Sequence, residues 1–522
     1  MSALSLIIFL ATLGVLAVRT RTALTYYQQE DYNPARFRLT ALRVGLVDIL
    51  SSLAVIAFWF AGFSLAAALV FLVTMALILR REWTQKFKKP LVLTERAQRI
   101  YGLALAMSAA LALVIFVHPL LAVLVLQLAP VMLVVADRLL APLQKRVNGA
   151  FVEEAKEKIA AHPGVRIGIT GSFGKTSVKH ILAHMLQRRF RVFFSKGSIN
   201  TVLGITRHVR ERLQSGHEVL IFEMGAYGIG SIRRLCEFAD PDHAIVTAVG
   251  DAHAERFGSI DATAIAKSEL PAWVLPKGGK AVFPAQLLQF KPFAELREKY
   301  PDACILVSEG GDGDYRVNDI KPTGEGYRFT LSSGKFALEP VEITIPLLGA
   351  HNVMNAALSL VLTHSVFGEI SFARIAAQSL VPAQHRLDVS RNPDRATIID
   401  DAYNSNENGF KGALEALGEV ADAQGGRRIL VTPGLAELGD KHESVHRSLG
   451  EIAGERADLI CVVNPERIPT FIDGARRGSA EVRLFDTFGE AREFYLSRST
   501  PKDAVLIEND LPDILEQEFR IH

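Results

Sequence analysis

The chain has 522 residues, a formal net charge of +2 and a mean hydropathy of +0.20. This length predicts about three or four domains, and the near-zero charge excludes a global field that would attract nucleic acid. The three cysteines, Cys236, Cys304 and Cys461, lie too far apart for a disulfide framework or a metal motif. They are typical of buried or incidental thiols in a reducing compartment.

The apolar excess lies in the first 140 residues, in the nearly uncharged runs 2–18, 44–60, 63–79, 100–117 and 120–135. Each run approaches the roughly 20 residues that a membrane-spanning helix requires. The basic segments between and after them are 19–43, 80–99 and 138–146, and positively charged loops face the cytoplasm. We therefore predict a bundle of about five transmembrane helices in the cell (inner) membrane, with the N-terminus outside and the later domains in the cytoplasm. The alternative is a soluble helical core at 44–79, which suits such uncharged runs less well.

A short apolar strand at 165–169 leads into a glycine-rich turn and then a helical pattern. This is the context of a phosphate-binding loop, here formed by Gly171, Ser172, Gly174, Lys175, Thr176 and Ser177. Glycines let backbone N–H groups point at phosphate oxygens, and the helix N-terminus adds positive potential. Lys175 is expected to reach the terminal phosphates of ATP, and the Thr176 hydroxyl to ligate Mg²⁺. The alternative is a tight turn with an incidental lysine.

Three polar residues further along the chain are informative because of their order. Glu223 ends an apolar strand at 217–223, where an acid is well placed to hold Mg²⁺ near phosphates. His253 follows the next strand, and Lys267 lies on the helix after it. Taken singly, His253 is more typical of a surface or capping residue, and Lys267 of a solvated charge. The alternation of strands and helices predicts a mostly parallel sheet.

Four segments in this order resemble the Mur ligase family: GSFGKTS at 171–177, IFEMGA at 221–226, AHAERFGS at 252–259 and AKSE at 266–269. The resemblance runs from about Gly164 to the C-terminus. It is nearest to the MurF type, which uses ATP to join D-alanyl-D-alanine to a nucleotide-linked tripeptide.

The resemblance implies two magnesium sites. Thr176 and Glu223 would hold one Mg²⁺, and His253 with Lys267 would hold a second. The resemblance also implies that Lys267 is carbamylated, which agrees with the need of Mg²⁺ for oxygen ligands that an ammonium group does not offer. Asn200 matches an asparagine of the substrate site near the phosphates.

The resemblance also assigns residues in the second half of the chain. An H-N-x-x-N segment would contact the nucleotide base, Arg386 would reach the phosphates, and a DxYNxN segment would lie near the ribose, the phosphates and the reacting groups. The residues of these two segments are His351, Asn352, Asn355, Asp401, Tyr403, Asn404 and Asn406. Glu437 and His446 would border the incoming amine. Without the resemblance, the asparagines and aspartates would fit helix caps and turns equally well.

Two departures from the family concern the substrates. The last strand ends in Glu508-Asn509-Asp510, where the family has a turn similar to Lys-Gly-Ser. The apolar runs also replace the N-terminal domain that holds the uridine nucleotide of the substrate in the MurF type. The identity of the amine and of the acceptor therefore stays open.

The whole pattern predicts an α/β fold in three parts: a transmembrane helical domain at 1–144, a central ATP-binding domain at 145–385 and a Rossmann-like C-terminal domain at 386–522. The predicted function is a membrane-anchored, ATP- and Mg²⁺-dependent ligase that joins a carboxylate to an amine through an acyl phosphate, in peptidoglycan precursor synthesis or modification. The residues expected to act in catalysis are Lys175, Lys267, His253 and Arg386.

The expected partners are a small-molecule or lipid-linked acceptor similar to a muropeptide, an amino acid or dipeptide, and the membrane, with no nucleic acid. Two alternatives remain. One is a ligase that adds amino acids such as glutamate to a polymer or a folate-like acceptor, and the other is a non-catalytic membrane nucleotide sensor or scaffold. The oligomeric state is open.

Overall fold

The computed structural model describes residues 3–46, 49–62, 64–85, 87, 90–250, 257–402, 406–436 and 438–509. These residues form two compact units, one of residues up to 149 and the other of residues 150–510. In the described ranges the first unit is helical, and the second contains two β-sheets.

Six α-helices begin in the described part of the first unit, and the second of them is polar rather than apolar. They are α1 Ala3–Gln29, α2 Pro34–Arg43, α3 Ile49–Phe60, α4 Ser64–Thr84, α5 Glu95–Ala112 and α6 Leu121–Ala160. Three described segments, Ser5–Gln29, Glu95–Phe116 and Leu121–Ala160, are long and apolar enough to cross a membrane. Helix α3 has 12 residues, fewer than the roughly 20 of a span. The number of five spans therefore stays a prediction.

Charged side chains inside the first unit have partners. Arg19 is 1% exposed, donates from Nε to a backbone carbonyl over 3.1 Å and lies 3.8 Å from Glu82. Asp137 accepts hydrogen bonds from Tyr27 over 2.8 Å and from Arg96 over 2.9 Å. These pairs offset the cost of removing the charges from water. They also fasten α1 to α4, and α6 to both α1 and α5.

The first sheet of the second unit has nine strands. They are β1 Val165–Thr170, β2 Val192–Phe194, β3 Val219–Glu223, β4 His243–Val246, β5 Ala281–Pro284, β6 Cys304–Glu309, β7 Tyr315–Pro322, β8 Tyr327–Ser333 and β9 Leu338–Ile345. Their order is β2-β3-β1-β4-β5-β6-β7-β8-β9. Neighbours from β2 to β7 are parallel, and β8 is antiparallel to β7 and β9. The predicted mostly parallel sheet is confirmed.

Helices cover both faces of this sheet. They are α7 Lys175–Gln187, α8 Val202–Arg212, α9 Ser231–Ala239, α10 Ile260–Val274, α11 Lys291–Lys299, α12 His351–Phe367 and α13 Ser371–Ala377. Alternate residues of one strand enter opposite cores: Ile221 packs with α7 and α12, and Leu220 with α8 and α9. Because both faces of β3 are buried, its sequence is a continuous apolar run without alternating polar residues.

The second sheet has six strands and lies in the C-terminal part of the unit. They are β10 Asp388–Asn392, β11 Arg395–Asp401, β12 Arg428–Thr432, β13 Leu459–Val463, β14 Glu481–Phe485 and β15 Ala504–Glu508, in the order β10-β11-β15-β12-β13-β14. Only β10 is antiparallel to its neighbour. The surrounding helices are α14 Glu407–Gln424, α15 His442–Arg456, α16 Pro469–Ala475 and α17 Phe488–Arg498. This sheet also confirms the α/β prediction.

Both sheets gather polar residues at the carboxyl ends of adjacent strands. In the first sheet, the strands β3, β1 and β4 are neighbours. Strand β3 ends at Glu223, β1 is followed by the loop 171–174, and β4 is followed by the segment 247–250. In the second sheet, β11, β15 and β12 are neighbours and end at Asp401, Glu508 and the loop that begins at Pro433. Open α/β sheets bind ligands at these edges.

Candidate active site

Two glycines shape the loop between β1 and α7. Gly171 has φ +151°, and a Cβ atom there would lie 2.0 Å from Thr247 Oγ1. Gly174 has φ +81°, and a Cβ atom there would lie 2.9 Å from Asn355 Oδ1. Only glycine fits both backbone positions. The loop can therefore wrap closely at the start of α7, whose first N–H groups have no acceptor within the helix.

The end of β4 holds this loop in place. The Ser172 N–H donates to Ala248 O over 2.8 Å, and the Ser172 hydroxyl donates to Gly250 O over 3.1 Å. The Gly250 N–H donates back to the Ser172 hydroxyl over 3.0 Å, and Thr247 Oγ1 donates to Phe173 O. These bonds fix the loop before any ligand is bound, so little ordering entropy is lost on binding.

Lys175 supplies positive charge at the loop. Its Nζ donates to Gly171 O over 2.6 Å and to Ser172 O over 3.1 Å. Burial lowers the pKa of Lys175 to about 8, against the attraction of Glu223. Lysine, helix N-terminus and glycine turn together fit the terminal phosphates of a nucleotide. Ser177 lies in the first turn of the same helix.

Glu223 is the centre of a buried polar cluster beside the loop. Thr176 Oγ1 donates to Glu223 Oε2 over 3.0 Å, and Asn200 Nδ2 donates to Glu223 Oε1 over 3.2 Å. Ser198 Oγ lies 3.1 Å from Thr176 Oγ1. Carboxylate and hydroxyl oxygens are hard ligands that suit Mg²⁺. The structure thus brings Thr176, Glu223 and Asn200 together, and their roles towards Mg²⁺ and substrate stay predictions.

Sequence reasoning missed Lys179, which belongs to this cluster. It lies on α7 one helical turn after Lys175, is fully buried, and places Nζ 3.0 Å from Glu223 Oε2. The available signal was its position on the apolar face of the helix, between Val178 and Leu182, where a lysine needs a buried partner.

Lys267 is buried on α10, where it is 3% exposed. Burial, with a further contribution from the charge of Lys175, lowers its pKa to about 6. Its Nζ lies 6.0 Å from the centre of the Phe257 ring. At neutral pH the side chain is therefore mainly an uncharged amine, which is the form that can react with CO₂. His253, its predicted partner at a second magnesium, lies outside the described residues.

The H-N-x-x-N segment meets the phosphate loop from the other side. Asn352 and Asn355 are 7% and 6% exposed. Asn355 Nδ2 donates to Asn352 Oδ1 over 3.0 Å, and Asn352 Nδ2 donates to Leu348 O over 2.8 Å. The two amides thus stabilise the start of α12 beside Gly174, while His351 is exposed. Base contact stays a prediction for all three residues.

Arg386 lies on a tight bend between the two sheets of this unit. Its neighbours His385 and Leu387 have φ +58° and +49°, a region that costs a non-glycine residue free energy. The Leu387 N–H donates to Asp401 Oδ1 over 3.1 Å, and His385 Nδ1 lies 2.7 Å from Asp400 Oδ2. The charge of Arg386 contributes to the lowered pKa of Lys175, so the bend brings this arginine towards the phosphate loop.

The DxYNxN segment is described only at its two ends. Asp401 pairs in register with Glu508 on β15, and burial raises the pKa of Asp401. Asn406 caps α14 by accepting a hydrogen bond from the Gly409 N–H over 3.0 Å. Tyr403 and Asn404 lie outside the described residues. The contacts predicted for this segment with nucleotide and reacting groups stay predictions.

His446 holds the loop that follows β12. It is fully buried, accepts from the Leu435 N–H at Nε2 over 3.0 Å and donates from Nδ1 to His442 O over 2.8 Å. Asn509 Nδ2 donates to Gly434 O over 2.6 Å. Both ring nitrogens of His446 form hydrogen bonds with backbone groups. This geometry favours a role in positioning the loop rather than direct contact with the amine substrate. Glu437, on the same loop, lies outside the described residues.

Comparisons with known proteins identify the family of the chain. The Mur ligase middle domain matches residues 169–363, and the Mur ligase, glutamate ligase domain matches residues 385–508. The two matches together cover more than half of the chain, which belongs to the Mur ligase family.

Several curated relatives carry one name, UDP-N-acetylmuramoyl-tripeptide–D-alanyl-D-alanine ligase. The relative from Bacillus subtilis is 29% identical over 322 residues, which is 61% of this chain and 65% of the relative. The relative from Escherichia coli is 29% identical over 294 residues, which is 56% of this chain and 62% of the relative. The chain thus spans just under two thirds of the length of these relatives.

Solved structures of MurF share the fold. The enzyme from Acinetobacter baumannii is 25% identical with a TM-score of 0.60, covering 69% of this chain and 77% of that one. MurF from Thermotoga maritima, in complex with ADP, is 25% identical with a TM-score of 0.58, covering 71% and 82%.

Proposed function

We propose that this protein is a membrane-anchored, ATP-dependent ligase that joins a carboxylate to an amine in the synthesis or modification of peptidoglycan precursors. The observation that carries the proposal is the junction of β1, β3 and α7. There a glycine loop with Lys175 lies beside the Thr176–Glu223 pair, in a chain of the Mur ligase family. The ligase activity of the MurF relatives supports it.

The reaction follows from the chemistry of the two substrates. A carboxylate does not condense with an amine in water without activation. A carboxylate oxygen therefore attacks the γ-phosphorus of ATP, the bond from that phosphorus to ADP breaks, and an acyl phosphate forms. The amine nitrogen then attacks the carbonyl carbon. Phosphate leaves with the bridging oxygen, and the nitrogen loses a proton to give the amide.

The residues of the site would favour these steps electrostatically. Lys175 and Arg386 place positive charge where the transferred phosphoryl group carries negative charge. Thr176 and Glu223 would hold the Mg²⁺ that accompanies ATP, and a magnesium ion neutralises developing phosphate charge. A carbamylated Lys267, together with His253, would supply ligands for a second ion.

The substrates are inferred from the relatives and from the first unit. The names of the relatives make a nucleotide-linked muramoyl tripeptide and D-alanyl-D-alanine the first pair to test. The apolar helices support a multi-pass placement in the inner membrane with the ligase domains in the cytoplasm. Such an anchor would bring the site close to an acceptor carried on a lipid. We also infer domain boundaries near residues 144 and 385, in keeping with the family matches.

The test is phosphate release by the purified full-length protein with Mg²⁺ and ATP. The acceptor tripeptide and D-alanyl-D-alanine are added together and singly, and then a membrane lipid extract with amino acids replaces them. Lys175→Ala should slow release by on the order of 10²–10³-fold. Lys291→Ala, which removes a lysine that is 86% exposed on α11, should leave it unchanged. Failure of every substrate combination to stimulate release would contradict the proposal.

A further inference from the structure

Lys179 makes a complete set of buried contacts around Glu223. Its Nζ lies 3.0 Å from Glu223 Oε2 and 3.3 Å from Ser195 Oγ, and it also donates to Gly197 O. Neither charged side chain of the pair is more than 1% exposed. All three protons of the ammonium group therefore have acceptors, and the contacts link α7, β3 and the segment after β2.

The pair changes the charge that an approaching cation meets. Glu223 is one anion, and Lys179 neutralises it directly. Lys175, which directly precedes Thr176 on α7 and lies one helical turn before Lys179, adds another positive charge beside the pair. A divalent cation without its own anion would be repelled by these groups, and the repulsion is strong where water is excluded.

A polyphosphate reverses this balance. The terminal phosphates of a nucleotide bring several negative charges to the loop that Lys175 and the start of α7 form. A cation that arrives bound to those phosphates meets a site with net negative charge. Glu223 and Thr176 can then complete its oxygen ligands, because Lys179 keeps the carboxylate in the required position.

We propose that Lys179 is the resident counter-ion of Glu223 and makes divalent-cation binding at this site depend on nucleotide phosphate. Lys179 is thus a positioning residue, which acts on the metal through the carboxylate. This inference rests on the proposed function, because it takes Glu223 to be a ligand of the magnesium that accompanies ATP. A purely structural ion pair would stabilise the fold without setting the order of binding.

The experiment measures free Mn²⁺ by electron paramagnetic resonance, with Mn²⁺ in place of Mg²⁺ and the full-length protein in detergent. Wild-type protein and Lys179→Arg should bind Mn²⁺ at this site only when a non-hydrolysable ATP analogue is present. Lys179→Met leaves Glu223 without a counter-charge, so its affinity for Mn²⁺ without nucleotide should rise about tenfold or more. The double variant Lys179→Met with Glu223→Gln should lose that gain.

The outcomes separate the inference from the proposed function. Unchanged Mn²⁺ affinity of Lys179→Met without nucleotide would overturn the inference, provided the wild type binds Mn²⁺ with the analogue. Absence of analogue-dependent Mn²⁺ binding in the wild type would instead overturn the proposed metal site and the inference with it. If Lys179→Met does not fold, Lys179→Gln retains two donors without the charge and should show the same gain. An unchanged affinity of that variant would equally overturn the inference.

Discussion

The hydroxyl of Thr176 donates to the carboxylate of Glu223 over 3.0 Å and so joins two residues 47 positions apart in the sequence. The contact connects the first turn of α7 to the end of β3. It exists because β1 and β3 are parallel neighbours, which brings the loop after one strand beside the last residue of the other. The two predicted ligands of one magnesium thus lie together.

Removal of the Thr176 hydroxyl should weaken magnesium use. Thr176→Val keeps the shape of a buried side chain but deletes the hydroxyl that we propose as a magnesium ligand and that donates to Glu223. We expect a fall in kcat on the order of 10²-fold and a higher Mg²⁺ requirement, by analogy with loss of one stabilising group. Thr176→Ser is the matched control and should retain most activity. Equal Mg²⁺ titrations for all three proteins would contradict the assignment.

Lys267 should carry a carbamate. Its pKa of about 6 leaves the amine neutral at pH 7 to 8, so it can react with CO₂. Protein exchanged into ¹³C-bicarbonate should show a carbamate carbon signal by NMR, and Lys267→Met should not. Both the signal and the activity should decline as the pH falls through about 6, because protonation removes the nucleophile. A wild-type protein without the signal that is fully active in CO₂-free buffer would refute this prediction.

His446 should act on the stability of the loop after β12. Burial and neighbouring His442 lower its pKa to about 4, so the folded protein holds it neutral where the unfolded chain, with an ordinary pKa of 6.5, binds a proton. Its contribution to stability is therefore complete above about pH 6.5 and declines as the pH falls towards 4.

The matched variants at this position are His446→Leu and His446→Gln. The leucine leaves the buried Leu435 N–H without its acceptor, which should cost about 1–3 kcal/mol. The glutamine can restore part of that through its side-chain oxygen. Urea unfolding at pH 7 and pH 5 measures both effects. The prediction fails if the leucine variant is as stable as the wild type, or if the stability of the leucine variant depends on pH in the same way as that of the wild type.

A single engineered cysteine can distinguish five membrane spans from three. The native cysteines are buried, so a new one can be labelled selectively with an impermeant maleimide. Gly62 follows α3, and a Cβ atom there meets nothing within 4 Å, although its φ of +85° adds backbone strain for a cysteine. With five spans, Gly62→Cys faces outside and is labelled in intact cells. With only α1, α5 and α6 across the membrane, it faces the cytoplasm and is protected.

Pro119→Cys provides the control for this labelling. It lies between α5 and α6 and faces outside in both arrangements, so it should be labelled in every case. Labelling of Pro119→Cys without labelling of Gly62→Cys would reject five spans.

The parts of the site that the sequence predicts are those encoded in local patterns. The glycine turn at 171–174, the acid at the end of β3 and the parallel order of strands all follow from short runs of residues. Lys179 was missed because its partner Glu223 is 44 positions away and its helix face otherwise reads as apolar core. The loop-positioning geometry of His446 depends on the close approach of Gly434, which spacing alone does not reveal.

The membrane part also combines features that the local sequence predicts with features that depend on distant contacts. Hydropathy identifies the apolar helices, but the number that cross depends on how α3 and α4 pack, since α3 has only 12 residues. Composition also gives no hint that Arg19 is buried beside Glu82, because that pair forms between α1 and α4.

The most direct test of the central claim follows one oxygen atom through the reaction. The acceptor is prepared with ¹⁸O at both oxygens of the reacting carboxylate and incubated with the amine, Mg²⁺ and ATP. If the carboxylate is activated as an acyl phosphate, mass spectrometry should find one ¹⁸O in the released phosphate for each amide formed. Amide formation with unlabelled phosphate would contradict the account.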